Sequence, residues 1–480
     1  MVSEMLAAPI PGDERGKDTL GQRSGTPAAP LRLRMLRAAG WLVGSNLSSQ
    51  VLRLASNLAL TRLLLPEAFG LVAAVNTLYL GLVMFSDLGV WQSIVRSERC
   101  DDPRFLGTAW SVQFVRGALL AALVLLVALG VYVGAGTGLF AQGTVYTDPR
   151  LPWMIALFAF AALLQGAESI KLATAQRELR GRALARLELV SQLAAIAITL
   201  VLAWSTRSVW ALLVGSLAGT VARTLLSHVA LPGPAARPRW DAASAREIVG
   251  FGKWVFASSI IGFLAANGEK LILGGTLTTT SFGVFSIAGT LLAAVAGLYG
   301  SLNGHVIFSS LALAQRAHRT ELVRVYASVQ QWSDFFLGVV AGGLLMAGQW
   351  VVWLLYDARY QDAGWMLQWL GVGLIAMRHQ VVEQLMFAHG RAARVGVNNL
   401  LRAAALALLV PAGFALGGER GAIAAVVVSQ FAGWPSSLMF KREQGLLTWS
   451  TERGWLPALV LGLALGALVD CVFGQATAGR

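Results

Sequence analysis

Charge is what this sequence has least of. Asp, Glu, Lys and Arg make up 13% of its 480 residues, against about 25% in soluble globular domains. A surface so poor in charge faces lipid, so the length does not translate into a count of soluble domains. Cysteine is nearly absent. Cys100 falls in an expected cytosolic segment and Cys471 in a late apolar one, and no disulfide is expected. The five histidines are scattered, and no C-x-x-C or H-E-x-x-H spacing occurs, so the chain gives no reason to expect a metal site. A Walker lysine motif is missing as well, which excludes an encoded ATP-binding module of that kind. No cofactor is expected. The longest connection on the expected outer side, residues 134–151, carries one Asp and one Arg. A membrane enzyme would need a larger outer domain or an acidic catalytic loop.

What is abundant is apolar sequence, at 56% of the chain. Thirteen segments are long enough to cross about 30 Å of hydrocarbon. They lie at 38–62, 67–87, 107–132, 152–172, 185–205 and 208–230, then at 250–275, 281–304, 327–355, 364–388, 396–417 and 420–440, with a last one at 455–473. Basic residues cluster at 32–37, 96–104, 171–186, 237–246, 316–324, 391–394 and 441–442. These clusters fall in every second connection, as the positive-inside rule requires of cytosolic loops. The expectation is a multi-pass protein of the inner (cytoplasmic) membrane with a cytosolic N-terminus, its first span acting as its own insertion signal. The net charge of +13 is then a topological signal and does not indicate nucleic acid.

A repeat organises these segments. Residues 41–78 recur without a gap at 254–291, an offset of 213: Trp41 falls on Trp254, Ser45 on Ser258, Leu58 on Leu271, Phe69-Gly70 on Phe282-Gly283, and Thr77-Leu78 on Thr290-Leu291. At nearly the same offset, Trp153-Met154 falls on Trp365-Met366 and Arg182 on Arg394. Two homologous halves are a common plan of secondary transporters. The expected fold class is therefore all-α, with two homologous six-helix bundles (12 helices) and an extra C-terminal helix. The expected divisions are a disordered cytosolic tail (1–36), a first bundle (37–231), a cytosolic linker (232–249), a second bundle (250–442) and a C-terminal segment (443–480). Since both halves start in the cytosol, the axis relating them should run along the membrane normal.

Two runs carry a family resemblance. Thr61-Arg62-Leu63-Leu64-Leu65-Pro66-Glu67-Ala68-Phe69-Gly70 and Phe85-Ser86-Asp87-Leu88-Gly89-Val90-Trp91-Gln92 resemble the L-x-P-x-x-F-G and D-L-G-x-x-Q pattern of polysaccharide transporters. These belong to the multidrug/oligosaccharidyl-lipid/polysaccharide (MOP) exporter superfamily. Glu269-Lys270-Leu271-Ile272-Leu273-Gly274 and Phe282-Gly283-Val284-Phe285 resemble the family's D-x-L-I-I-G and G-x-Y stretch, with Glu269 and Phe285 departing from it. The resemblance implies a twelve-helix core and the flipping of an undecaprenyl-pyrophosphate-linked oligosaccharide from cytosol to periplasm. Implied partners are the lipid-linked substrate, membrane lipids, and the polymerase and glycosyltransferases of cell-surface polysaccharide synthesis (lipopolysaccharide or exopolysaccharide).

The residues suggest where such a head group would sit. Asn46, Gln50, Arg53 and Asn57 are spaced by four, three and four, so they share one helix face. An arginine at a helix centre costs about 2.5–3.5 kcal/mol on insertion scales, so this stripe should face a polar cavity with Arg53 as an anion ligand. In the second half, Lys270 takes the place of Asn57. Glu269 stands about 100° away around the helix, so one of the two can face the cavity and the other a neighbouring helix. His379 and Glu383, four apart, can meet on one face as a proton-coupling element, with Glu269 a further candidate for ion coupling. Snorkelling accounts for Arg116, Arg223 and Arg402 near cytosolic helix ends, and together they would draw an anion to an inward mouth. Asp87 and Glu188 are placed to pair with nearby arginines. Two other functions fit the pattern less well. An ion-coupled multidrug or small-molecule exporter of the same superfamily would prefer carboxylates and aromatics in its cavity. A membrane enzyme of polysaccharide assembly would need the outer catalytic loop that is missing.

Overall fold

The computed structural model describes residues 31–478 except 87–89, 91–93, 95–96, 98, 100–101, 234–236 and 317. Most of the expected N-terminal tail, together with Asp87, Gln92 and Cys100, lies outside the described residues. The described chain is helical throughout, apart from loops and a single bridge between Thr144 and Thr278.

The first half comprises α1 (Leu31–Leu63), α2 (Pro66–Phe85), α3 (Pro103–Gly136), α4 (Leu151–Gly166), α5 (Lys171–Arg177), α6 (Gly181–Thr206) and α7 (Trp210–Val229). The second comprises α8 (Ala242–Thr276), α9 (Thr279–Leu302), α10 (Phe308–Arg316), α11 (Arg319–Leu355), α12 (Ala363–Val372), α13 (His379–Ala388), α14 (Ala392–Gln430) and α15 (Trp434–Glu443). Then come α16 (Trp449–Arg453) and α17 (Trp455–Ala478).

Local sequence sets these boundaries. Pro66 and Glu67 open α2, where a missing N–H is harmless and a negative charge meets the helix dipole. Asp102 caps α3 by accepting from the Arg104 amide (2.9 Å), and Asp241 caps α8 through the Ser244 amide (2.9 Å). Hydrogen bonds from the Arg104 amide and Arg99 hold the Asp102 carboxyl below the usual range, and Ser244 does the same for Asp241. Thr278 caps α9.

Breaks in the helices follow equally local causes. In the first half the fourth apolar segment bends by 58° between α4 and α5. There the Gln113 side chain donates to the carbonyls of Gln165, Gly166 and Glu168 (3.3, 3.2 and 3.0 Å), taking up groups the bend has freed. In the second half the corresponding segment is broken by a 3-10 turn, Gly373–Arg378, between α12 and α13. Helix α14 is interrupted at Gly417 and Gly418, and Gly418 has φ +58°, which glycine adopts without a Cβ clash. The chain folds back there, with Gly413 close against the Gly421 backbone. Each leg of the resulting hairpin, 392–416 and 419–443, is about 37 Å long at 1.5 Å per residue.

Among the described residues, eight helical stretches are long and apolar enough to cross a membrane, or nine if α4 and α5 form one bent span. Thirteen were expected. The doubled-back stretch from Ala392 to Glu443 counts once although each leg could span, and the segment at 364–388 is divided by its 3-10 turn. Neither α1 nor α8 is among the eight; the face of α1 that carries Asn46, Gln50, Arg53 and Asn57 dilutes its apolar residues. Outward-facing leucines such as Leu119, Leu126 and Leu129 on α3 suit a lipid surround.

Helix α17 lies along α11. The paired positions advance together, Gly338 with Ala458 and Met346 with Gly466, so the two helices run parallel. A methyl group at Gly342 would strike the Leu459 carbonyl, and one at Gly462 the Val339 carbonyl. This is the small-residue packing by which membrane helices approach closely.

Candidate substrate cavity

A cavity of about 670 Å³ lies between α1, α2, α6, α7, α8 and α9. Arg53 and Asn57 reach it from α1, and Asn267 and Lys270 from α8. Arg53 and Lys270 make no hydrogen bond or ion pair with any described residue. The rest of the polar lining is mostly neutral, including Asn76, Gln192 and Thr290. Among the described residues lining it, Glu188 is the single carboxylate, and it is paired with Arg223. The cavity is thus positive and rich in amides and hydroxyls, with apolar walls contributed by residues such as Leu60 and Phe69.

A second space of about 390 Å³ runs beside it in the seam between α1 and α9. Asn46, Gln50 and Arg53 line it from α1, with Leu54, Gly297 and Ser301. The polar stripe is therefore divided. Its first residues face the seam and Asn57 the central cavity, where its Oδ1 accepts from Tyr356 (3.1 Å), while Arg53 borders both spaces.

The remaining candidates fall elsewhere. Glu269 is not among the residues lining the cavity, although Lys270 beside it is. His379 and Glu383 do not pair. Glu383 instead takes Arg402 from α14 (3.0 Å), because a fixed cation across the helix interface is the stronger partner. His379 is buried against Trp434, and neither ring nitrogen has a hydrogen-bond partner among the described residues. Arg116, Arg223 and Arg402 do not snorkel. Arg116 caps the end of α2 through the carbonyls of Ser86 (2.7 Å) and Val83 (3.0 Å), Arg223 pairs with Glu168 (2.9 Å) and Glu188, and Arg402 pairs with Glu383.

A buried charge network also escaped the sequence reading. Arg378 grips Asp334 with two parallel bonds of 2.9 Å and reaches Glu452 (3.2 Å), which also holds Lys441 (2.7 Å). Its members lie 44 to 118 residues from Asp334 along the chain, on α11, the 3-10 turn, α15 and α16, so no spacing rule could have joined them.

At one end of the cavity the two halves close on each other. Arg359 donates to the carbonyls of Thr61 (2.9 Å) and Arg62 (3.4 Å), and Tyr360 to that of Leu64 (2.8 Å). Arg62 returns the contact at the Leu355 carbonyl (3.3 Å). Each half thus uses a cation to satisfy the free carbonyls at a helix C-terminus of the other. Thr280 donates to Glu67 (2.7 Å), a pair separated by 213 residues, and Gly70 packs directly on Gly283, again 213 apart.

Comparison with known proteins identifies the family. The model of the polysaccharide biosynthesis protein family matches residues 59–364, more than half of the chain. The chain belongs to this family. No curated protein matches it. Among solved structures it is similar to the lipid II flippase MurJ in an inward closed conformation, with a TM-score of 0.66, 11% identity, and coverage of 91% of this chain and 99% of that one. It is also similar to an inward-facing multidrug resistance MATE family transporter of the MOP superfamily (TM-score 0.60, 14% identity, 83% and 94% covered). A MOP superfamily transporter from Pyrococcus furiosus, whose binding pocket of reverse polarity suggests a different function, matches at TM-score 0.56 and 13% identity (89% and 100% covered). These likenesses show the fold alone: this family member is folded like the MurJ and MATE transporters.

Proposed function

We propose that this protein is a flippase that carries a polyprenyl-pyrophosphate-linked oligosaccharide from the cytosolic to the periplasmic leaflet by alternating access, for cell-surface polysaccharide synthesis. The observation that carries the reading is the pair of cations Arg53 and Lys270, without a hydrogen-bond or ion-pair partner among the described residues, facing one cavity from the first helix of each half. An unpaired cation in a membrane interior is expensive unless it has work to do, and two of them complement a pyrophosphate. The neutral amide and hydroxyl lining suits sugar hydroxyls. A volume of about 670 Å³ is that of a small-ligand site, which suits one short head group better than a polymer. The seam between α1 and α9 offers the lipid tail a route to stay in the membrane while its phosphate sits at Arg53.

The chain divides, on this reading, into the two six-helix bundles proposed from the sequence (37–231 and 250–442), with α17 as the thirteenth helix. Residues that meet their own repeat partners, as Glu67 meets Thr280 and Gly70 meets Gly283, lie beside a two-fold axis. Because α2 and α9 meet at their N-terminal ends, that axis runs along the helices, as a rocking pair of bundles requires. With the sequence-assigned orientation, the tied end is periplasmic and the cavity serves the cytosolic side. An inside-negative potential then favours outward movement of the anion by about 2.3 kcal/mol per charge per 100 mV. A drug exporter is the weaker reading, since its cationic cargo would meet Arg53 and Lys270.

The test is restoration of surface polysaccharide in a host lacking its own flippase. The wild-type protein should restore it, and Arg53→Ala should not, at equal membrane abundance. Normal polysaccharide from Arg53→Ala would remove this residue from the site. Failure of the wild type to complement hosts of several polysaccharide types, while it exports a cationic dye, would overturn the reading.

A further inference from the structure

We propose that Arg223 is a first capture site for the phosphates of the cargo, which the Glu188 carboxylate occupies as an internal stand-in until they arrive. The inference rests on the reading above that the cargo is a phosphate anion. Arg223 lines the same cavity as Arg53 and Lys270 but stands on α7, and two carboxylates hold it in different ways. Glu168 bonds its Nε at 2.9 Å. That carboxylate lies at the break between α4 and α5, is mostly buried, and has its own carbonyl taken by Gln113 (3.0 Å). It is a fixed positioner. Glu188 bonds the NH1 nitrogen from the cavity wall on α6, and its side chain is 49% exposed. An ion pair so exposed contributes little net stability, while a phosphate can take the guanidinium edge in two parallel bonds. Glu188 can therefore be displaced, and Glu168 keeps Arg223 aimed at the cavity when that happens.

The site lies apart from Arg53. Arg182 stacks on Trp41 (5.5 Å) and Gln192 donates to the Ser49 carbonyl (2.9 Å), so α1 and α6 run parallel in this register. Glu188 is one turn before Gln192, and Arg53 one turn after Ser49. The two levels differ by about 12 Å at 1.5 Å per residue, which puts the two arginines at different depths of one cavity. Phosphates would pass from Arg223, nearer the N-terminal end of α6, to Arg53 and Lys270 deeper in.

The consequence is opposite to that of a structural salt bridge: removing the carboxylate should tighten anion binding. Inorganic pyrophosphate is titrated into the purified full-length protein, and polyprenyl pyrophosphate into protein in lipid nanodiscs. Glu188→Gln should bind both about two- to fivefold more tightly, the size of one exposed ion pair. Arg223→Ala in the same background should abolish the gain, and Glu168→Gln alone should weaken binding. Glu188→Ser serves if the glutamine variant does not fold. Gain with the lipid alone identifies the bound headgroup as the ligand, and gain with both identifies the phosphate moiety itself. Unchanged or weaker binding in folded Glu188 variants would overturn the proposal. Because binding is read on purified protein, the capture site can stand even if complementation fails, and complementation can succeed without it.

Discussion

At the scale of single residues, the site depends on what each cation can offer. Arg53 presents a planar fork that can grip two phosphate oxygens, whereas an ammonium acts as a point charge. Arg53→Lys should accordingly restore only part of the export lost in Arg53→Ala, and Lys270→Ala should reduce export without abolishing it. Surface polysaccharide per unit of membrane protein is the measurement, and full activity of Arg53→Lys would show that charge alone suffices. The Arg378 network makes a different demand, because its charges are sealed in. Removing one partner of a buried pair leaves the other uncompensated, at about 3–5 kcal/mol. Asp334→Ala should lower the thermal midpoint of the purified protein sharply, with Asp334→Asn milder. Equal midpoints for Asp334→Ala and wild type would mean that Glu452 alone balances Arg378. That Asn46, Gln50, Arg53 and Asn57 share a helix was legible from spacing, whereas the division of their face between two spaces was not. Asp334, Glu452 and the true partner of Glu383 were not, since partners on other helices decide how a buried charge is satisfied.

At the scale of elements, the appended helix is held by shape as well as charge. Glu452 on α16 closes the Arg378 and Lys441 pairs, and α17 then packs on α11 with no space at Gly342 or Gly462. Gly342→Val should cost about 1–3 kcal/mol by overpacking, read as a lower thermal midpoint, whereas Gly130→Val, at an exposed glycine of α3 with open space around it, should be close to neutral. A Gly342→Val protein as stable as wild type would show that α17 can move aside freely. The apolar run at 455–473 was visible in the sequence. That it lies parallel to α11 was not, because small residues mark a contact without naming its partner.

For the whole molecule, the proposed alternating access makes the tied end the element that governs which side the cavity serves. Hydrogen bonds to charged groups contribute about 1.5–3 kcal/mol each, so losing those of Arg359 should shift the closed-to-open ratio by about tenfold or more. Spin labels at the exposed positions Leu65 and Leu354 should report a longer distance in Arg359→Ala than in wild type, and an unchanged distribution would assign closure to the Gly70–Gly283 packing instead. Orientation has its own test. In a cysteine-free background, a thiol at Leu139 should react with an impermeant reagent in intact cells, and one at Arg180 should not. The reverse pattern would invert the assignment.

The sequence by itself determined that this is a helical membrane protein, which connections are basic, and that residue 41 onward is echoed 213 positions later. These are properties of composition and period, which lipid and helix geometry read directly. The repeat offset made Gly70 and Gly283 equivalent positions, and the structure brought them into contact. Only the tertiary structure decided that Arg53 and Lys270 share a cavity, that Arg223 belongs to its wall, that Glu383 chooses Arg402 over His379, and that two helical segments break where they do. Those outcomes depend on which helices become neighbours, because a charge or a carbonyl in an apolar interior takes whatever partner the packing brings within reach.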